Sequence, residues 1–171
     1  MRRMLAALTG AATAATMITG AAAASAAGDH LASPRPAVTR IEQFQLMTTA
    51  TTSGKASIIA FGSVFTAGGA GHAGFRVDKA LFPGGTFKIR RTPVNGLSRI
   101  SGRSCLDTTT EHGTYTLGDG TGKYAGITGH GKYRLVMLAV LARNSHGRCT
   151  QGIPPVATQQ IIKAQGPAAL P

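Results

Sequence analysis

The segment from Gly113 to Arg134, GTYTLGDGTGKYAGITGHGKYR, limits what this chain can fold into more than any other. Glycines are spread between Thr and Tyr residues, and bulky aliphatic side chains are nearly absent. Gly126, Gly129 and Gly131 forbid a stable helix, because each glycine costs about 1 kcal/mol relative to alanine in a helix interior. Two short strands joined by a tight glycine turn, the second bending as it leaves, satisfy the pattern. The segment points to a small closed β-barrel and names no reaction.

The chain begins with an address. Arg2 and Arg3 form a positive n-region, Met4 to Gly20 is uncharged and rich in small and apolar residues, and Ala24-Ser25-Ala26 and Ser25-Ala26-Ala27 are small-x-small cleavage sites. Residues 1–27 therefore read as a secretory signal peptide, with cleavage expected within Ala26 to Gly28. As a spanning helix the run is weakly apolar, since about 20 predominantly apolar residues are needed. No later stretch is long enough to span a bilayer, so no membrane span is expected after cleavage. The Arg pair hints at twin-arginine export, but so short an n-region favours the general secretory route.

Cleavage leaves about 144 of the 171 residues, one domain's worth. The net charge of +12 falls to +10 on losing Arg2 and Arg3. Cys105 and Cys149 are the only cysteines. In an oxidising compartment a lone pair forms a disulfide. No His, Asp or third Cys lies at ligand spacing beside them, so neither metal nor cofactor is expected.

Period-2 alternation recurs along the remainder. Residues 28–39, with Pro34 and Pro36, read as a disordered mature N-terminus. Arg40 to Thr51 alternates through Phe44, Leu46 and Thr48 as a first strand, and Ala56 to Thr66 is a second. Ala67 to Gly71 reads as a glycine-rich turn. In the next strand Phe75, Val77 and Leu81 share the inward face, with Arg76 and Asp78 outward. Phe82-Pro83-Gly84-Gly85 is a hairpin turn. Thr86 to Thr92 follows, with Phe87 and Ile89 inward and Lys88 and Arg90 outward, and Pro93 to Gly96 breaks it. Cys105 to His112, Thr114 to Leu117, an apolar run from Lys132 to Arg143 read as buried on both faces, and Ala157 to Gln165 complete about eight strands. The expected fold is all-β: a single closed antiparallel eight-stranded barrel over residues 40–166 with one disulfide, and a C-terminal tail at 167–171. Eight strands leave an interior filled by side chains or just wide enough for one small ligand.

The run Gly120-Thr121-Gly122-Lys123-Tyr124-Ala125-Gly126-Ile127-Thr128-Gly129 resembles the G-T-G-x-[YF]-x-G-x-x-G segment of the allene oxide cyclase-like and dirigent-like barrels. The hairpin Leu81 to Phe87 and the Cys105-Leu106 pair are similar to small secreted actinobacterial proteins of that barrel type. The resemblance covers roughly Ser57 to Gly166. It implies the same barrel, and with it either cyclisation or radical coupling of a hydrophobic substrate. The carboxylates those families carry lie on other strands, and none is assigned to a residue here.

Other motifs fail on their chemistry. Gly120 to Ala125 fits a dinucleotide fingerprint, but that site needs a helix to start at the glycines. A P-loop would need Ser or Thr where Tyr124 stands. Asp107 and Glu111 share a strand face about 13 Å apart. That is too far for a glycosidase pair, whose carboxyl groups stand about 5 to 9.5 Å apart. His72, His130 and His146 lie in glycine-rich stretches and read as solvated turn residues. Ser63, Ser104 and Ser145 lack a nucleophile elbow. No catalytic residue is therefore assigned.

Two partner classes remain. The leading reading is a secreted, non-catalytic module whose apolar interior, lined by Phe75, Phe87 and Ile89, holds a small apolar or amphipathic ligand. Three basic clusters could instead meet an anionic envelope polymer: Lys88, Arg90 and Arg91; Arg99 and Arg103; Lys123, Lys132 and Arg134. Nucleic acid is not expected, because no aromatic stacking platform is interleaved with these charges. A hollow interior favours the carrier, a hollow interior with one buried carboxylate favours the cyclase, and a filled barrel with a continuous basic face favours the polymer binder.

Overall fold

The computed structural model describes residues 39–50 and 53–171; the expected signal peptide and most of the mature N-terminus lie outside them. Eight strands form one closed antiparallel barrel: β1 Arg40–Thr48, β2 Gly54–Gly62, β3 Ala67–Ala73, β4 Val77–Phe82, β5 Gly85–Ser101, β6 Leu106–Gly118, β7 Thr128–Val140 and β8 Ala157–Ala169. Each strand pairs with its neighbours in sequence, and β8 returns to β1, with Phe44 opposite Ala164. The helical element among the described residues is one 3-10 turn, Gly122–Tyr124.

Alternation sets which side chains fill the barrel. Phe44 and Leu46 on β1, Ile58 and Ala60 on β2, Phe87 and Ile89 on β5, and Leu135 and Ile162 on β7 and β8 are buried. Complete burial of a side chain the size of Phe87 contributes about 1.5–3 kcal/mol. A disulfide joins Cys105 to Cys149, with Cα atoms 5.3 Å apart, and fastens the β5–β6 turn to the β7–β8 connection.

The structure corrects several sequence expectations. Ala67 to Gly71 is not a turn but the body of β3, paired residue for residue with β2. Its small side chains carry no alternation to read. Beyond it the register slips by one: Asp78, Ala80 and Phe82 face inward, and Val77 and Leu81 face out. Pro93 to Gly96 does not end β5. A bulge between Pro93 and Asn95 absorbs the irregularity and pairing continues to Ser101. β6 is likewise one strand through Gly113. β7 is buried on one face, since Lys132, Arg134 and Val140 are exposed. β8 runs past Gly166, so the barrel extends into the expected tail.

Glycine is required where β7 meets β8. A Cβ on Gly131 would sit 2.2 Å from the Gln165 carbonyl oxygen, and one on Gly166 would sit 2.1 Å from that of His130. The two backbones touch there, and the pairing skips His130 and Gly131.

β5 outruns its partner. β4 pairs with it only as far as Val77 opposite Arg90, apart from one further bond from the Arg91 N–H to the Arg76 carbonyl. Past that point β5, β6, β7 and the start of β8 project as a curved sheet.

Candidate functional site

One end of the barrel interior is aromatic. Phe44, Phe65, Phe82, Phe87, Tyr115 and Tyr124 pack edge to face or tilted, with ring centroids 5.3–6.2 Å apart. Such pairs contribute about 0.5–1.5 kcal/mol each beyond their burial. Phe65 comes from the β2–β3 connection and closes this end. Its loop is held from inside: Glu42 Oε2 accepts hydrogen bonds from the Val64 N–H at 3.0 Å and the Phe65 N–H at 3.4 Å. Glu42 is fully buried, and neither its Oε1 nor the Tyr115 hydroxyl has a protein partner. Burial pushes the Glu42 carboxyl up, against the two backbone N–H groups that favour its charge. Burial, aided by Glu42, pushes the Tyr115 hydroxyl up to about 12.

The Glu42 shift fixes the sign of a pH effect. A carboxyl held above its ordinary 4.5 in the folded state contributes stability that is complete below that value and is lost as pH rises through the folded value. Replacement of Glu42 by Gln keeps an oxygen for the two N–H groups and removes the titration. The melting temperature of wild type relative to Glu42→Gln is therefore expected to fall as pH rises from about 4.5. Parallel pH profiles would show that Glu42 does not titrate within the fold.

The other end is ionic. Arg91 and Asp78 form a buried pair, with Nε donating to Oδ2 at 2.7 Å and the two side chains 3% and 2% exposed. Arg91 also donates to the carbonyls of Gly74, at 2.8 Å, and Phe75, at 3.4 Å, while the Gly74 N–H donates to Asp78 Oδ1. The pair thereby ties the β3–β4 turn to β5. Beside it Tyr133 donates a 2.6 Å hydrogen bond to Glu111, whose carboxylate also lies 3.7 Å from Arg91 and 3.9 Å from Arg76. Burial and the Glu111 carboxylate push the Tyr133 hydroxyl up to about 12.

Between the two ends there is almost no space. The void bounded by Phe44, Ile89, Tyr115 and Tyr133 measures about 10 Å³, room for about one water. Phe87 and Ile89 point inward as expected, but into this filled core. Phe75 does not: it sits in the β3–β4 turn, 73% exposed, with its ring against the Arg76 guanidinium at 4.6 Å. The one-residue slip in β4 is the reason. The same slip brings in Asp78, and Arg91 moves with it from the expected surface cluster to the interior. Period 2 already marks Arg91, which follows Phe87 and Ile89 on one face.

Charge divides sharply between inside and outside. Among the described residues Glu42 and Asp78 are buried, Asp107 and Glu111 are half-buried, and Asp119 alone of the carboxylates is exposed. Every described lysine and arginine except Arg91 lies on the outside. Asp119 is already engaged, 2.9 Å from Lys88 and 2.6 Å from Arg90. The Lys88 hydrogen bond, then the Arg90 charge, holds its carboxyl below the usual range.

The cations also stand directly opposite one another. Lys55 pairs with His72, His72 with Lys79, and Lys79 with Lys88, across four strands. On the far wall His112 pairs with Arg134 and Arg134 with Lys163. His72 and His130 are thus exposed strand residues rather than turn residues. Lys55, Lys79 and Lys163 escaped the sequence clusters because they come together only through register. Among the described residues no group of three His, Cys, Asp or Glu could hold a metal ion. No protein-family model, curated protein or solved structure matches the chain.

Proposed function

We propose that this protein is an exported cationic barrel that binds anionic polymers of the cell envelope through its outer wall. The observation that carries the reading is the separation of charge among the described residues: apart from Asp119 the carboxylates are buried or half-buried, and apart from Arg91 the cations are turned out. Like charges directly opposite on neighbouring strands destabilise a sheet, so ladders of Lys and Arg cost folding energy that an anionic partner offsets. A surface of one sign also raises the local concentration of such a partner and speeds encounter. The Cys105–Cys149 disulfide and the signal-like leader support export. Both the carrier and the cyclase need space for a hydrophobic guest, and an interior void of about 10 Å³ favours neither.

Retention on a sulfated-polysaccharide matrix is the direct measurement. The mature protein is expected to bind at low ionic strength and to elute as salt shortens the Debye length from about 10 Å at 0.1 M to about 3 Å at 1 M. Absence of retention at low salt would overturn the reading. So would saturable, salt-independent binding of a fluorescent fatty-acid probe, which would restore the carrier.

A further inference from the structure

The outer wall is not uniformly shaped. A groove of about 720 Å³ crosses the outer faces of β1, β8 and β7, reaching Phe61 on β2 and His112 on β6. Gly131 and Gly166 contribute backbone to its lining. Lys132, Arg134 and Lys163 rise along it, all exposed. Among the described residues no carboxylate lines it. The opposite wall differs, since there Asp119 neutralises part of the Lys88 and Arg90 charge.

Resting on the proposed outer-wall function, we infer that this groove is the seat of a polyanionic glycan. Three features select that chemistry. Arg134 and Lys163 are directly opposite on adjacent strands, whose backbones run about 4.8 Å apart, and Lys132 stands two residues along β7, about 6.6 Å along the strand. Three cations so close can serve successive anionic groups of one chain. Beside them Gln43, Gln45 and Gln165 offer amides that both donate and accept, as sugar hydroxyls require. Ile41 and Phe61 supply an exposed apolar rim for the C–H faces of sugar rings. A flat lipid surface cannot enter a concave furrow. Of the phenyl and phenol rings along it only Phe61 is exposed, which gives no stacking series for nucleic acid bases. A second copy of the chain would bring cations against cations.

The experiment compares variants of the mature protein titrated with a heparin oligosaccharide, and in parallel with poly-glutamate, a polyanion without sugar hydroxyls. Lys132→Glu/Arg134→Glu/Lys163→Glu is expected to weaken heparin binding at least tenfold, a difference of about 1.4 kcal/mol. Lys55→Glu/Lys79→Glu/Lys123→Glu changes net charge equally and is expected to weaken it less than threefold. Gln43→Ala/Gln165→Ala is expected to weaken heparin and leave poly-glutamate unchanged. Circular dichroism checks each fold, and the milder Arg134→Gln/Lys163→Gln replaces any reversal variant that fails to fold. Equal losses from both triple variants would overturn the groove and leave the outer-wall function standing. No binding by wild type to either polymer would overturn both. Tighter binding to phosphatidylglycerol vesicles than to heparin, lost in the groove variant, would overturn the glycan.

Discussion

Replacement of Asp78 by Ala is expected to cost about 3–5 kcal/mol, because it leaves the Arg91 guanidinium buried without its carboxylate. Arg91→Ala is expected to cost a similar amount by stranding Asp78. In a domain of this size such a loss lowers the melting temperature by roughly 10–20 °C. Neither figure measures the worth of the pair. Removing both charges with apolar groups of similar volume, as in Asp78→Leu/Arg91→Met, is expected to be near neutral, since desolvation largely cancels the attraction. Urea unfolding of the two single variants and the double variant decides the matter. An Asp78→Ala variant that loses less than about 1 kcal/mol would mean that Glu111, 3.7 Å from Arg91, takes over as its counter-ion.

Loss of the disulfide is the second large effect. Cys105 and Cys149 are 44 residues apart in sequence. Closing a loop of that length stabilises the folded chain by about 4 kcal/mol when the bond acts through the unfolded state. Cys105→Ser/Cys149→Ser, or reduction of the wild type, is expected to lower the melting temperature by about 10–20 °C. The bond joins two turns at the end of the projecting sheet rather than two parts of the aromatic core. Circular dichroism at low temperature should therefore keep its strand signature. A melting temperature unchanged by reductant would show that the projection opens separately from the barrel.

A closed barrel of eight strands was expected and found, though the total agreed because the missed β3 offset the division of β6 into two; most strands were legible because alternation and turn glycines are local signals. Phe87 and Ile89 were placed correctly for that reason, as was the lone cysteine pair. Ala67 to Gly71 misled because a strand of Ala and Gly has no alternation to read. That one silent strand shifted the phase of the next, which put Phe75 inside and Asp78 outside. The bulge at Pro93 and Asn95 hid the length of β5, since proline normally ends pairing in a central strand. The cationic ladders were invisible for a different reason. Lys79 and Lys88, or Arg134 and Lys163, become neighbours through register, which hydrophobic pattern and turn geometry set together. The groove is lined from strands far apart in chain order, β1, β7 and β8, which local patterning does not report.

The projection of β5 past β4 carries a hazard that the closed part of the barrel avoids. From Thr92 to Ser101 one side of this strand has no partner among the described strands. Val94, Leu97 and Ile100 are exposed along it. A free edge with apolar side chains is a template on which another chain can add a strand and begin a fibre. Three features blunt it. Pro93 offers no N–H, the bulge beside it breaks the repeat an incoming strand would need, and Arg99 adds a charge that any identical chain would meet with its own. The ends of the projection are also pinned to the β7–β8 connection by the disulfide, so the edge cannot flatten. A protein that crowds along a charged polymer is held at high local concentration, and there protection against fibre growth decides whether binding ends in a coat of separate molecules or in an aggregate.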